Sequence, residues 1–271
     1  LSLGYGHTWN NNFRWDSNFT LSHNKNKIKE LVRDYVHPET GELINKDRLD
    51  VGGLGKARFI LKEGGTLGDL YTQSDLKRDD NGMVDIDPTG IVAIENNLPD
   101  IKLGSVFPKA NLAWSNHFSW KGISLSALFT ARIGGIVYSA TEAAMDQYGV
   151  SERSALARDN GGVLVNNRTL VDAQNYYTTI GSESGLPQYY TYNATNVRLQ
   201  EASIGYLIPR KWLGNVCDIQ VSVIGRNLWM IYNKAPFDPE SVATTDNYYQ
   251  GIDYFMLPST RNIGFNVKIN F

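Results

Sequence analysis

The last eleven residues, Arg261 to Phe271, constrain the fold more than any other stretch, because they alternate without a break. Ile263, Phe265, Val267, Ile269 and Phe271 fall on one face, and Asn262, Gly264, Asn266, Lys268 and Asn270 on the other. Period-two alternation defines a β-strand with one apolar and one polar side. In a soluble sandwich the polar side would meet bulk water, and nothing would favour an aromatic as the last residue. In a transmembrane β-barrel the apolar side meets lipid, the polar side meets a wet lumen, and a terminal aromatic sits at the membrane interface.

The rest of the chain is compatible with that reading. A transmembrane helix needs about 20 consecutive apolar residues, and no such run occurs. Barrel strands escape that test because only every second residue faces lipid. A formal net charge of −2 argues against a nucleic-acid partner. The single cysteine, Cys217, excludes an internal disulfide and sits in an apolar alternation as a small hydrophobe.

Alternation predicts about nine strands, over 1–9, 13–31, 57–61, 67–71, 112–120, 123–133, 196–207, 216–228 and 263–271. The clearest are 112–120 and 123–133. Leu112, Trp114, Phe118, Trp120, Ile123, Leu125, Ala127, Phe129, Ala131 and Ile133 share the apolar side, and Asn111, Ser115, His117, Ser119, Ser124, Ser126, Thr130 and Arg132 the polar side. Residues 38–50 and 73–108 are expected to be loops, and 134–195 a long loop with one helical passage at 141–157. With Phe271 placed at the periplasmic end, the connections at 10–12, 63–66, 121–122 and 208–215 fall on the periplasmic side. Those at 32–53, 74–107, 134–195 and 233–260 then fall outside. Short periplasmic turns with long extracellular loops are the pattern of outer-membrane barrels.

No catalytic constellation is present: His7, His23, His37 and His117 lack metal-ligand spacing, so neither a metal nor a cofactor is expected. The carboxylates of 78–87 miss the calcium-loop template and are assigned to a solvated turn. Asp238 and Glu240 are assigned to loop structure rather than to glycoside hydrolysis. Candidate ligand contacts are the flat amphipathic faces of Tyr176, Tyr177, Tyr189, Tyr190, Tyr248, Tyr249 and Tyr254, with Asp253 as an acceptor. The alternative for each tyrosine is packing of loop against loop or against a lid. Ile263, Phe265, Val267, Ile269 and Phe271 form a candidate recognition signal for barrel assembly.

Seven passages occurring in order carry a resemblance to a known family. They are Trp15 with Asn18 to Ile28; Leu103-Gly104-Ser105 to Pro108; Lys121-Gly122-Ile123-Ser124-Leu125; Asn196-Val197-Arg198-Leu199-Gln200-Glu201 through to Pro209; Gly225-Arg226-Asn227-Leu228; Phe237-Asp238-Pro239-Glu240; and Pro258 with Arg261 to Phe271. The chain resembles the C-terminal part of the barrel of SusC/RagA-type TonB-dependent outer-membrane transporters. That resemblance implies an all-β, antiparallel transmembrane barrel of about 22 strands, of which 1–271 supply the C-terminal portion. The implied plug domain and TonB box lie outside these residues. The implied partners are a SusD-like lipoprotein lid, TonB through the missing N-terminal part, the rest of the barrel and plug, and outer-membrane lipid. The implied cargo is a glycan or an oligopeptide. Ala235-Pro236-Phe237 and the length of 134–195 depart from the family and bear on the substrate. A passive porin and a soluble β-rich binding domain remain as alternatives.

Overall fold

A computed structural model of the chain describes residues 1–182, 185–244 and 249–270. Seven strands form one sheet: β1 Ser2–Thr8, β2 Arg14–Ser22, β3 Ala110–Trp120, β4 Ile123–Ile133, β5 Asn196–Ile208, β6 Asp218–Asn233 and β7 Asn262–Asn270. Each pairs antiparallel with the next in chain order. Three of the six joins are short turns that return the chain beside the strand it has just left, and the other three are long connections. Between β3 and β4 the return takes two residues, Lys121 (φ 48°) and Gly122 (φ 87°). Two successive positive φ angles give the tight turn whose twist matches that of the flanking strands.

Register sorts the side chains onto two faces. Trp15, Phe118, Leu125, Ile204, Val223 and Phe265 are successive cross-strand partners, forming an apolar row that crosses β2 to β7. On the other face Gly6, Asp16, His117, Ser126, Ser203, Ile224 and Gly264 line up in the same way across all seven strands. A register shift where β5 passes β4 keeps Leu199 opposite Phe129 and Glu201 opposite Leu128, leaving Gln200 between them. Such a bulge preserves the two-faced pattern on either side of it.

The apolar face is bare. Leu125, Ile204, Val223 and Phe265 are 46%, 55%, 48% and 82% exposed. Its contacts are lateral: Trp15 stacks on Phe118 at 6.0 Å and Trp114 on Phe129 at 5.6 Å, and their Nε1 groups donate to Asn116 and Ser17 at 3.1 and 3.0 Å.

The buried core lies elsewhere, in the three long connections 23–109, 134–195 and 234–261, which all leave the same end of the sheet. They fold into one cap. Its parts include a four-stranded sheet in the order Ile101–Ser105, Asp69–Thr72, Ala57–Lys62, Arg48–Leu54, and a three-stranded sheet that pairs Thr191–Asn193, Ile136–Ser139 and Ile252–Asp253. Three helices join them: α1 Ala140–Gln147, α2 Glu152–Asp159 and α3 Ala173–Gly181. Phe59, Leu70, Val106, Tyr138, Ile180, Leu186, Tyr190 and Ile252, drawn from all three connections, are buried together.

Several expectations are corrected. The pair expected at 57–61 and 67–71 does form antiparallel strands, but in the cap sheet and not in the seven-stranded sheet. Ala57, Phe59, Ile60, Leu61, Leu70 and Tyr71 are all buried, so this hairpin is covered on both sides instead of facing lipid. Its 63–66 connection therefore lies in the cap rather than with the short turns. The second strand stops at Ser22 and does not run on to residue 31. Ile28 is instead buried in the cap, exchanging backbone hydrogen bonds with Gly64 and Gly65 at 2.8 and 2.9 Å. The loop expected at 38–50 contains Leu43–Lys46, paired with Val32–Val36. The single helical passage at 141–157 is two helices separated at Gly149 (φ 69°), and α3 was not expected at all.

Candidate functional site

The polar face is hollowed between β1 and β5, with a concavity of about 640 Å³ bordered by Asp16, Asn18, Ser115, His117, Ser126 and Glu201. Strand alternation alone places these side chains there. They are tied laterally. Arg14 donates to both oxygens of Asp16 at 2.7 and 2.9 Å, Ser126 and Ser203 share a hydrogen bond at 2.5 Å, and Arg226 reaches Glu201 at 2.8 Å. A wall of paired charges and hydroxyls is suited to water and polar solutes.

At the capped end the wall is locked to the third connection. Arg198 of β5 is nearly buried and forks onto Asp238, with Nη2 at 2.8 Å from Oδ1 and Nη1 at 3.1 Å from Oδ2. Its Nη2 also lies 3.3 Å from Glu240, whose Oε1 accepts from Asn196 Nδ2 at 3.2 Å. Burial resists ionisation of Asp238, but the Arg198 guanidinium and the Glu240 N–H outweigh it and hold the carboxyl below its usual range. The Asp-Pro-Glu run therefore structures the loop.

Inside the cap a second buried carboxylate, Asp146, accepts from Ser151 Oγ at 2.5 Å, Arg153 Nε at 2.7 Å and Tyr190 OH at 2.9 Å. A third, Asp100, is held by Arg48 at 2.8 Å, Lys62 at 2.6 Å and Gln73 at 2.9 Å. Asp79 and Asp87 each close a tight turn, accepting from the N–H groups of Met83 at 2.9 Å and Ile91 at 3.0 Å.

The candidate tyrosines separate into two groups. Tyr176, Tyr177 and Tyr189 pack against the cap core, and Tyr190, 1% exposed, points its hydroxyl at Asp146. Burial pushes the Tyr176 hydroxyl up to about 12, and raises those of Tyr177 and Tyr189. Asp253 is buried and accepts from Ser139 Oγ at 2.5 Å, so its carboxylate is engaged inside the protein. Packing of loop against loop thus accounts for Tyr190 and Asp253, which offer no face to a ligand. Tyr249 remains partly exposed, with its ring 6.1 Å from Phe59. Tyr254 is open to solvent beside Phe255, their ring centres 5.1 Å apart. Tyr248 lies outside the described residues. In β7, Ile263, Phe265, Val267 and Ile269 are all exposed along the free edge of the sheet, and Phe271 lies outside the described residues.

Sequence reasoning put Arg132 on the polar side but gave no role to it, or to the Arg14–Asp16, Arg198–Asp238 and Glu201–Arg226 pairs. The signal available was a charge at an inward position of a long alternating strand, where an ion needs a partner.

No family model matches the chain. Over 301 aligned residues it is 25% identical to the TonB-dependent receptor P3 of Formosa agariphila, a match covering 99% of the chain and 28% of that receptor. Its structure matches the RagAB peptide importer in the "closed-closed" state with a TM-score of 0.66 and 17% identity, covering 100% of the chain and 29% of the matched one. A further structure of the RagAB peptide transporter gives 0.64 at 17% identity, covering 28% of its chain. The chain therefore spans under a third of the relatives it matches, and the structural likeness is one of fold.

Proposed function

We propose that this chain, a relative of the TonB-dependent receptors with the fold of their transporter barrel, forms part of the wall and the outer loops of an outer-membrane nutrient importer. The observation that carries this reading is the apolar row Trp15, Phe118, Leu125, Ile204, Val223 and Phe265, which no layer of the described residues covers and which backs directly onto a polar hollow. A sheet greasy on one side and wet on the other suits a boundary between lipid and an aqueous lumen. Its outer strands, β1 and β7, each leave a row of backbone groups unpaired on the far side. In lipid such edges are tolerated only when further strands close the sheet, so the remainder of the barrel must flank both.

In this reading the cap faces the exterior, and the short turns and carboxyl terminus face the periplasm. The cargo is an oligomer too large for passive pores, a glycan or an oligopeptide. A SusD-like lipoprotein sits as a lid on the cap, where Tyr254, Phe255, Met256 and Leu257 stand exposed. Energy from TonB enters through the plug, outside this chain.

The test is uptake. Deleting the gene should abolish accumulation of the oligomeric nutrient while sparing the monomer, and an uncoupler should abolish it in the wild type. Uptake that survives the uncoupler would identify a passive pore. Recovery of the protein in the soluble fraction would remove the membrane reading altogether.

A further inference from the structure

Near the capped end of the polar face a second hollow, of about 430 Å³, opens among β2, β3, β4 and β5 beside Glu240. Arg132, the penultimate residue of β4, borders it. Its Nη2 donates to the carbonyl of Val106 at 2.7 Å, whereas its Nε is shut off from solvent with no partner among the described residues. A buried donor on a charged group is costly to leave unmade, and such an orphan calls for an acceptor that the described residues do not supply. The nearby carboxylate is not that acceptor, because Glu240 lies against Arg198 and Asn196. Around the same hollow the side chains of Ser22, Asn111, Thr130 and Gln200 make no hydrogen bond to any described residue. Arg132 thus borders the hollow with one guanidinium N–H unmatched among the described residues, beside hydroxyls and amides that are equally unmatched.

We propose that this hollow is a substrate subsite that receives a carboxylate group of the transported oligomer on Arg132, with Asn111, Thr130 and Gln200 taking the hydrogen-bonding groups beside it. The inference rests on the importer reading and adds a chemical class to the cargo. A planar guanidinium offers parallel N–H donors to a carboxylate, a pairing stronger and more directional than a neutral hydrogen bond. The carboxylate has two sources in such oligomers, a uronic-acid residue or the terminus of a peptide, and both present the same group to Arg132.

The experiment is calorimetric binding to the complete protein in detergent, with two pairs of probes. One pair is a tri-uronide and its methyl ester; the other is an N-acetylated tetrapeptide with a free carboxyl terminus and its amide. In one pair the charged member should bind more tightly, by about tenfold. Arg132→Gln should erase that preference and Arg132→Lys should restore part of it. Asn111→Asp, which leaves the Arg132–Val106 bond in place, should also lower the preference by supplying Arg132 with an internal acceptor. The responding pair identifies the source of the carboxylate. Equal binding of charged and neutral members overturns the proposal, as does a preference that survives Arg132→Gln. A fall in melting temperature with the preference intact would make Arg132 a strut for Val106 and likewise overturn it. Energised uptake by a protein that binds none of the four probes overturns the subsite and leaves the importer reading standing. Loss of uptake and of outer-membrane location would end both.

Discussion

Arg198 and Asp238 lie forty residues apart in sequence and meet as a two-pronged ion pair, at 2.8 and 3.1 Å, with both side chains nearly excluded from solvent. The pair fastens the third long connection to the polar face of β5. Removing one partner strands a buried charge, which costs about 3–5 kcal/mol. Arg198→Ala or Asp238→Asn is therefore expected to free 234–261 for protease cleavage while the seven-stranded sheet stays intact. Cleavage no faster than in the wild type would show that the pair does not hold the loop.

Acid should loosen the cap at Asp100. The guanidinium of Arg48 and the ammonium of Lys62 outweigh its burial and hold the carboxyl well below its usual range. A depressed carboxylate stabilises the fold above its unfolded pKa of about 3.9 and loses that contribution as pH falls towards the folded value. Melting temperature should decline below about pH 4, and Asp100→Asn should lower it at neutral pH while flattening that decline. At the alkaline end the sign is set by tyrosines. Burial pushes the hydroxyls of Tyr138 and Tyr176 up to about 12, so their contribution is complete below the unfolded value near 10 and fades as pH rises towards about 12. Tyrosinate absorbance titrated alongside unfolding checks this: if both groups ionise before the cap opens, the assignment fails.

The two faces of β7 should respond oppositely to charge. Val267 pairs with Val221 on the apolar side, and Asn266 with Ser222 on the polar side. Val267→Arg is expected to cost about 2–4 kcal/mol if it lies near the bilayer midplane, and to reduce the protein recovered folded in outer membranes. Asn266→Arg should leave recovery unchanged. Deleting Phe271 should abolish assembly with synthesis retained, if the last strand is also a recognition signal. Heat-modifiable migration in gels reads all three, and equal loss at Val267 and Asn266 would contradict the assignment of faces.

Tyr190 and Tyr254 should separate structural from exposed tyrosines. Tyr190→Phe leaves buried Asp146 without one of its donors, at a cost of about 1–3 kcal/mol, and should lower cap stability. Tyr254→Ala touches an exposed ring and should leave the melting temperature unchanged, reducing affinity for the proposed lid or ligand instead. A stability loss at Tyr254 equal to that at Tyr190 would refute the division.

The strands of the wall were legible because most of them alternate over a long span, and the pair β3–β4 also because it turns at Lys121-Gly122. The same signal misplaced 57–71, since a short apolar run has the same appearance whether its second face meets lipid or another layer of protein. α3 was hidden by its sequence, Ala-Gln-Asn-Tyr-Tyr-Thr-Thr-Ile-Gly, whose β-branched and aromatic residues are poor helix formers. It stands because Asp172 caps it through the Asn175 N–H at 3.0 Å and Ile180 enters the core. The different fates of Tyr190 and Tyr254 could not be separated in advance, because which one meets Asp146 is decided by contacts between distant loops.

Those contacts also set the order of assembly. The three-stranded sheet of the cap needs Ile252–Asp253 beside Ile136–Ser139, more than a hundred positions upstream. A chain delivered from its amino end can therefore zip its neighbouring hairpins early, but the large apolar core of the cap stays open until the last connection, 234–261, arrives. Non-local closure of this kind is slow, so nascent protein in transit would carry a finished rim of hairpins around an unsealed, adhesive interior.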